Sequence, residues 1–297
     1  MSGWTLGIIG GSGLYQLDGL EDIRTERVFT PWGEPSAPLV KVRLNGIDLV
    51  FLSRHDAGHR IPPGDINYRA NIDAMKRAGV TDLLSLSACG SLREELAPGA
   101  FVVVDQYVDR TFAREKSFFG PGCVAHVSMA RPVCSRLSAM AVAAAKAAGV
   151  ETVAPRGTYL AMEGPQFSTK AESHLYRSWG MDVIGMTNMP EAKLAREAEL
   201  PYASVAMVTD YDCWKDDLAE VDITDVLAVL KGNVARAQDL VRAITRAMAA
   251  HPRTPSPDGI ETVLDTAILT APDARDPALV AKLDAVAGRV LGQAPQK

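Results

Sequence analysis

Apolar residues in this chain fall into two kinds of pattern. Short continuous runs, the mark of buried strands, occupy Trp4 to Ile9, Leu39 to Leu44, Asp48 to Leu52, Asp82 to Leu86, Phe101 to Asp105, Thr158 to Met162, Asp182 to Met186 and Ala203 to Val208. Between them lie stretches with helical spacing: Asn67 to Ala78 with a stripe at Tyr68, Ile72 and Met75, Val133 to Ala148, Ser168 to Trp179, Pro190 to Ala198 and Ile223 to Ala249. Ser168 is expected to cap its helix, and Pro190 to stand near the first turn of the next. Strands alternating with helices predict an α/β domain. Asn45-Gly46 between two of the runs is a strong hairpin signal. The segment from Gln16 to Arg27 is polar and carries no apolar stripe. Phe112 to Arg131 reads as irregular, with Phe118 and Phe119 suited to a lid or an oligomer contact, or else packed under the loop. The Pro-rich stretch His251 to Pro257 reads as a linker, dividing residues 1–250, a catalytic domain, from a 251–297 extension with one helix candidate, Pro277 to Leu291, capped by Asp276.

In an open α/β sheet, ligands bind beyond the carboxyl ends of the strands. Polar clusters stand there repeatedly. Gly10-Gly11-Ser12-Gly13 follows the first run, and backbone amides of such a turn can surround a phosphate. Ser53-Arg54-His55 ends the hairpin, and a planar guanidinium suits phosphate oxygens. Ser87-Ala88-Cys89-Gly90-Ser91 follows a further strand, where small side chains let a ligand approach the backbone and Ser87 offers a hydroxyl; the alternative is a tight strand-to-loop turn. Glu163-Gly164-Pro165-Gln166-Phe167, Gly185-Met186-Thr187-Asn188-Met189-Pro190-Glu191 and Thr209-Asp210-Tyr211-Asp212-Cys213-Trp214 end three more strands and read as three walls of one pocket. Of the two histidines flanking Gly58, His55 is the better site candidate and His59 the poorer. A dinucleotide fingerprint would need a helix directly after the glycines; the polar segment and hairpin that follow rank it below phosphate binding.

Composition narrows the chemistry. The chain has 297 residues, 47% hydrophobic and 23% charged, enough for a substantial core. A net charge of −5 lacks the basic footprint of nucleic-acid binding. The four cysteines form no CxxC pair and no metal-ligand spacing. No run is long enough to span a membrane, and no signal-peptide pattern opens the chain, so a cytoplasmic protein with reduced thiols is expected. Nucleophile-elbow, metalloprotease, kinase and Walker motifs do not occur.

What remains is an anion-binding set (Ser12, Arg54, His55, Ser87, Thr187), an aromatic platform (Phe167) and a carboxylate pair (Asp210, Asp212). Such a set fits nucleoside phosphorolysis, in which phosphate is itself the nucleophile and no activated serine or cysteine is needed. Ile8-Ile9-Gly10-Gly11-Ser12-Gly13-Leu14, Ser53-Arg54-His55, Ser87 to Glu95, Asp105 to Thr111, Glu163 to Phe167 and Thr209 to Trp214 together resemble the 5′-methylthioadenosine phosphorylases within the purine nucleoside phosphorylase family. The resemblance runs from about Trp4 to Ala249.

The resemblance implies a single domain with a mixed central sheet flanked by helices, a homotrimer, and no cofactor or metal beyond substrate phosphate. It assigns phosphate to Ser12, Arg54, His55, Ser87, Ala88 and Thr187, and the ribose to Met186. Phe167 would pack on the purine, with Ile184 beside it; Asp210 would face N7 and Asp212 the 6-amino group. His126 would reach a neighbouring subunit's 5′ pocket, lined also by Val226. Ser12 and Ser87 stand where threonine also occurs, and either hydroxyl donates to phosphate. Adenine N7 accepts and its 6-amino group donates, so a protonated Asp210 and an ionised Asp212 match it. Burial and the neighbouring carboxylate are both expected to raise Asp210. The competing readings are a 5′-methylthioinosine or general purine nucleoside phosphorylase and, from other classes, an NAD-dependent oxidoreductase and a non-catalytic nucleoside-binding protein.

Overall fold

The computed structural model describes residues 3–15, 17–215 and 223–292. Strand β1 (Thr5–Gly10) is followed by a 3-10 turn (Ser12–Tyr15) and by β2 (Glu21–Glu26). The hairpin is β3 (Leu39–Leu44) and β4 (Ile47–Ser53), with Asn45 and Gly46 both at positive φ. Helix α1 (Tyr68–Arg77) leads to β5 (Asp82–Ser91), β6 (Phe101–Val104), β7 (Gln106–Asp109) and α2 (Ser135–Ala147). Then come β8 (Val153–Ala154), β9 (Thr158–Ala161), α3 (Lys170–Ser178), β10 (Val183–Gly185), α4 (Asn188–Glu197), β11 (Tyr202–Asp210) and α5 (Ile223–Ala249). Residues 251–292 hold short 3-10 turns, α6 (Pro277–Lys282) and α7 (Asp284–Leu291).

The strands form an 11-stranded mixed sheet with β5 at its junction. Leu83 to Gly90 pair in parallel with Tyr202 to Asp210 of β11, while β1 pairs with the start of β5 on its other side. At its far end β5 turns to a different neighbour, and Gly90 and Ser91 pair antiparallel with β10. The sheet therefore divides along β5, and the carboxyl ends of β1, β4, β5 and β11 open beside that of β10. Pleating sends alternate side chains to opposite faces. On β11, Ala203, Val205 and Met207 enter the core shared with α2 and α5, whereas Tyr202, Ala206 and Val208 enter the core shared with α1 and α4.

Several local expectations change. Ser87 to Ser91 belong to β5 rather than to a turn, because pairing of Ser87 to Gly90 with β11, and of Gly90 and Ser91 with β10, keeps the strand extended. The polar Gln16–Arg27 segment contains β2, an edge strand whose six residues are all exposed, so it needs no apolar stripe. Thr169, not Ser168, caps α3: its hydroxyl accepts from Glu172 N while the Glu172 carboxylate accepts from Thr169 N, a capping box. Phe118 and Phe119 are buried, Phe118 edge-on to Trp32, so they pack under the loop. The tail helix is two helices broken at Leu283, the first capped by Asp276 as expected.

Residues 251–292 pack against the body. Leu264, Leu283, Val286 and Ala287 are buried in the α1/α4 core. Trp4 Nε1 donates to His251 O at 2.9 Å, and Arg253 Nε reaches the fully buried Asp82 at 2.6 Å.

Candidate active site

A cavity of about 400 Å³ opens where the sheet divides. Its walls are strand ends: the glycine turn after β1, Ser53 to Asp56 after β4, the second half of β5, Gly185 to Thr187 after β10, and Thr209 to Asp212 closing β11. Leu230 and Val234 of α5 and the exposed ring of Phe167 complete it. Close packing explains its glycines. A Cβ on Gly10 would stand 2.3 Å from Leu14 Cδ1 and 3.0 Å from Leu86 O, so only glycine lets the turn fold back on β5. The turn is followed by four residues of 3-10 structure and an exposed strand, and does not open the helix that a dinucleotide site needs.

Of the residues singled out in the sequence, Arg54, His55, Ser87, Ala88, Phe167, Ile184, Met186, Thr187, Asp210 and Asp212 line this one cavity. Ser12 begins the 3-10 turn between the lining residues Gly11 and Gly13, and its side chain lies outside the described residues, as does that of Val226 on α5. His126 is exposed on the loop after β7, its amide bonded to Ala267 O at 2.9 Å, and does not reach the cavity of its own chain.

At the end beside β1 and β4, Arg54 is 2% exposed. Its Nε donates to Glu191 Oε2 at 2.8 Å, and Nη2 to Glu191 Oε1 at 3.2 Å, Ser85 Oγ at 2.7 Å and Ile9 O at 3.3 Å. Nη1 has one long contact, to Leu86 O at 3.4 Å. The fork expected to face phosphate thus faces Glu191. His55 Nδ1 lies 2.8 Å from Ile61 O, and its ring stacks on His59 at 4.2 Å, so His59 lines the cavity too. Burial, with the Arg54 charge second, pushes His55 down to about 4, so the imidazole is neutral near pH 7. Ser87 Oγ donates to Asn188 Oδ1 at 3.3 Å.

At the other end the two carboxyls are raised. Burial lifts Asp210, against hydrogen bonds from Thr209 Oγ1 at 2.7 Å and Asp212 N at 2.8 Å. Burial also lifts Asp212, reinforced by the charge of Asp210 and opposed by the hydroxyls of Ser173 and Ser168. The charge repulsion expected at Asp210 is thus felt at its partner. Asp212 Oδ2 is buried and has no hydrogen-bond partner among the described residues. Gly90 is the floor beneath both: a Cβ there would be 2.9 Å from Asp210 Oδ1 and 3.4 Å from Asp212 Cβ.

Arg114 was not legible as a site residue. Its side chain is 1% exposed and crosses behind two walls. It donates to Glu163 Oε1 at 2.7 Å, Glu163 O at 2.6 Å, Met186 O at 2.5 Å, Met189 O at 2.7 Å and Tyr68 Oη at 3.0 Å. The Met186 carbonyl is therefore held from behind. Among the described residues, no group of three or more His, Cys, Asp or Glu is placed to hold a metal, and no helix is long and apolar enough to cross a membrane.

The mixed sheet, split at one junction, thus sets Arg54, His55 and Ser87 at one end of a single cavity and two raised carboxyls at the other, the frame of an α/β enzyme site. The chain belongs to the phosphorylase superfamily, whose family model matches residues 5–246. It is 61% identical over 286 residues to the S-methyl-5′-thioadenosine phosphorylase of Cereibacter sphaeroides, covering 96% of this chain and 98% of the relative. It is 50% identical over 288 residues to that of Koribacter versatilis, covering 97% of each. Among solved structures, a methylthioadenosine phosphorylase from an Antarctic soil metagenomic library superposes with a TM-score of 0.89 at 42% identity, covering 96% of this chain and 99% of that one. An adenosine/methylthioadenosine phosphorylase variant from Schistosoma mansoni, in complex with adenine, gives 0.85 at 35% identity, covering 90% and 99%.

Proposed function

We propose that this enzyme cleaves 5′-methylthioadenosine with phosphate, giving adenine and 5-methylthioribose 1-phosphate. The observation that carries the reading is the meeting, in one cavity, of anion donors from the ends of β4 and β5 and the start of α4 with the raised carboxyls of Asp210 and Asp212. Phosphate sits at the Arg54 end, held by the hydroxyls of Ser12, Ser87 and Thr187, the neutral His55 and the backbone at Ala88. A phosphate oxygen attacks C1′ while the bond from C1′ to N9 breaks, leaving its electron pair on the base. Asp210, whose hold on a proton burial strengthens, gives its proton to N7, and adenine departs uncharged. Asp212 accepts from the 6-amino group. Ile184 and Phe167 flank the purine, and Met186 meets the ribose.

Phosphate is the co-substrate, and no other cofactor is invoked. The oligomer is a homotrimer in the cytoplasm, in which His126 and Val226 serve the 5′ substituent. Support for the subunit contact comes from the outer surface. Exposed Val124 and Leu269 are linked by the bond from Leu269 N to Val124 O, and His126 lies beside them.

The test is release of free base from methylthioadenosine, adenosine, methylthioinosine and inosine, each with and without phosphate. Fast, phosphate-dependent adenine release from methylthioadenosine is expected. Preference for methylthioinosine would overturn the role of the acid pair, and release from none would leave a nucleoside-binding protein.

A further inference from the structure

Arg54 is the arginine lining the phosphate end of the cavity, yet its charge is already answered. Glu191, 1% exposed on α4 and outside the cavity lining, takes the Nε–Nη2 edge of the guanidinium in a two-point ion pair. Glu191 is itself held by Tyr202 Oη, which donates to Oε1 at 2.9 Å. Ser85 Oγ and Ile9 O receive the rest of Nη2. Among the described residues, only Nη1, with its long contact to Leu86 O, keeps donor capacity. The other cations at this end add little. His55 is neutral near pH 7, and Arg60 is paired with Asp56.

We propose that Glu191 is a positioning residue for phosphorolysis: by holding the Nε–Nη2 edge of Arg54 and cancelling its charge, it makes phosphate bind end-on to Nη1 and keep its own negative charge. The inference rests on the placement of phosphate at this end of the cavity. Its chemical sense follows from the reaction. As the bond from C1′ to N9 breaks, positive charge develops on the sugar, and an anion not neutralised by a free guanidinium stabilises that charge better. A free Arg54 would instead bind ground-state phosphate more tightly without helping the transition state, which lowers KM and does not raise kcat.

Two measurements test this. In crystals of the wild-type protein soaked with inorganic phosphate, one phosphate oxygen is expected on Arg54 Nη1, with Glu191 still on Nε and Nη2. A guanidinium turned to present its two-nitrogen edge to phosphate would overturn the proposal. In steady-state kinetics, Glu191→Gln keeps the size and the acceptor oxygen but removes the charge. The expected result is a phosphate KM lower by about threefold or more and a kcat lower by about tenfold or more, with nucleoside KM unchanged. A merely structural Glu191 would lower kcat and thermal stability together without tightening phosphate. Ser87→Ala separates the two layers of inference. If it raises phosphate KM while Glu191→Gln fails to lower it, this proposal alone falls. If neither variant moves phosphate KM, the placement of phosphate falls with it.

Discussion

Thr209 Oγ1 has one proton and two acceptors in reach, Cys89 O at 3.2 Å and Asp210 Oδ2 at 2.7 Å. When that proton goes to Cys89, Thr209 offers a lone pair to a proton on Oδ2, while Oδ1 keeps its bond from Asp212 N. The site thus accommodates a neutral Asp210 without breaking a bond. Asp210→Asn retains a donor toward N7 but has no proton to transfer, so kcat should fall about 10²-fold or more with nucleoside KM within a few-fold. The same substitution tests the linkage. Asp210 is raised above its unfolded value, so its favourable contribution is full below the unfolded value and is lost as pH rises through the folded one. Thermal melts should therefore show Asp210→Asn gaining stability relative to wild type from acidic to neutral pH. An unchanged difference across that range would contradict a raised Asp210. At this scale the sequence was informative where chemistry is local, as in Asp210-Tyr211-Asp212. It set Glu191 at the end of a polar cluster but gave it no role, and it was silent on Tyr202 and Arg114; the roles of all three come from bonds to residues distant in sequence, such as the 137-residue separation between Arg54 and Glu191.

Among the elements, β5 bears most on the site, because its first half is clasped by β1 and β11 and its end by β10. Gly90 stands at the change of partner. Gly90→Ala adds a Cβ at 2.9 Å from Asp210 Oδ1 and 3.2 Å from Ile184 Cγ2, so the acid must shift. Overpacking of this kind costs about 1–3 kcal/mol. Activity is expected to fall more than tenfold while the melt stays cooperative and only a few degrees lower; wild-type turnover in this variant would show that the floor is not critical. The hairpin and the long helices were legible, since turn chemistry and apolar spacing act within a few residues. The extension of β5 was not. Ser87, Ala88, Gly90 and Ser91 are small and polar enough to read as a turn, and only the neighbouring strands make them a ladder. Edge strand β2 was hidden for the opposite reason: exposed on every residue, it has no face to reveal.

Across the whole molecule, the end of the chain is structural. Ending it after Ala250 would strip Leu264, Leu283, Val286 and Ala287 from a core they fill, and remove Asp284 from Arg77 and Arg253 from the buried Asp82. Breaking a buried pair alone costs about 3–5 kcal/mol, roughly 10 °C in melting temperature for a domain near this size. The truncated protein is expected to be insoluble or to melt at least that much lower; a soluble fragment of wild-type stability would show that residues 1–250 stand without the extension. Proline-rich composition suggested a linker, and it does describe the local backbone. It could not foretell the docking beyond it, which depends on apolar residues scattered between Ile260 and Ala287.

The cavity lining is drawn from Gly11 to Val234, touching the ends of β1, β4, β5, β10 and β11 and the flank of α5. No fragment of the fold holds a useful share of it. A partly assembled chain therefore offers substrate nothing to grip, and binding is confined to the finished state. Each occupied site is then a brake on unfolding of the entire sheet: ligand at a hundred times its Kd adds about 2.7 kcal/mol to global stability. Supply of substrate would set how long each copy of the enzyme survives as well as how fast it turns over.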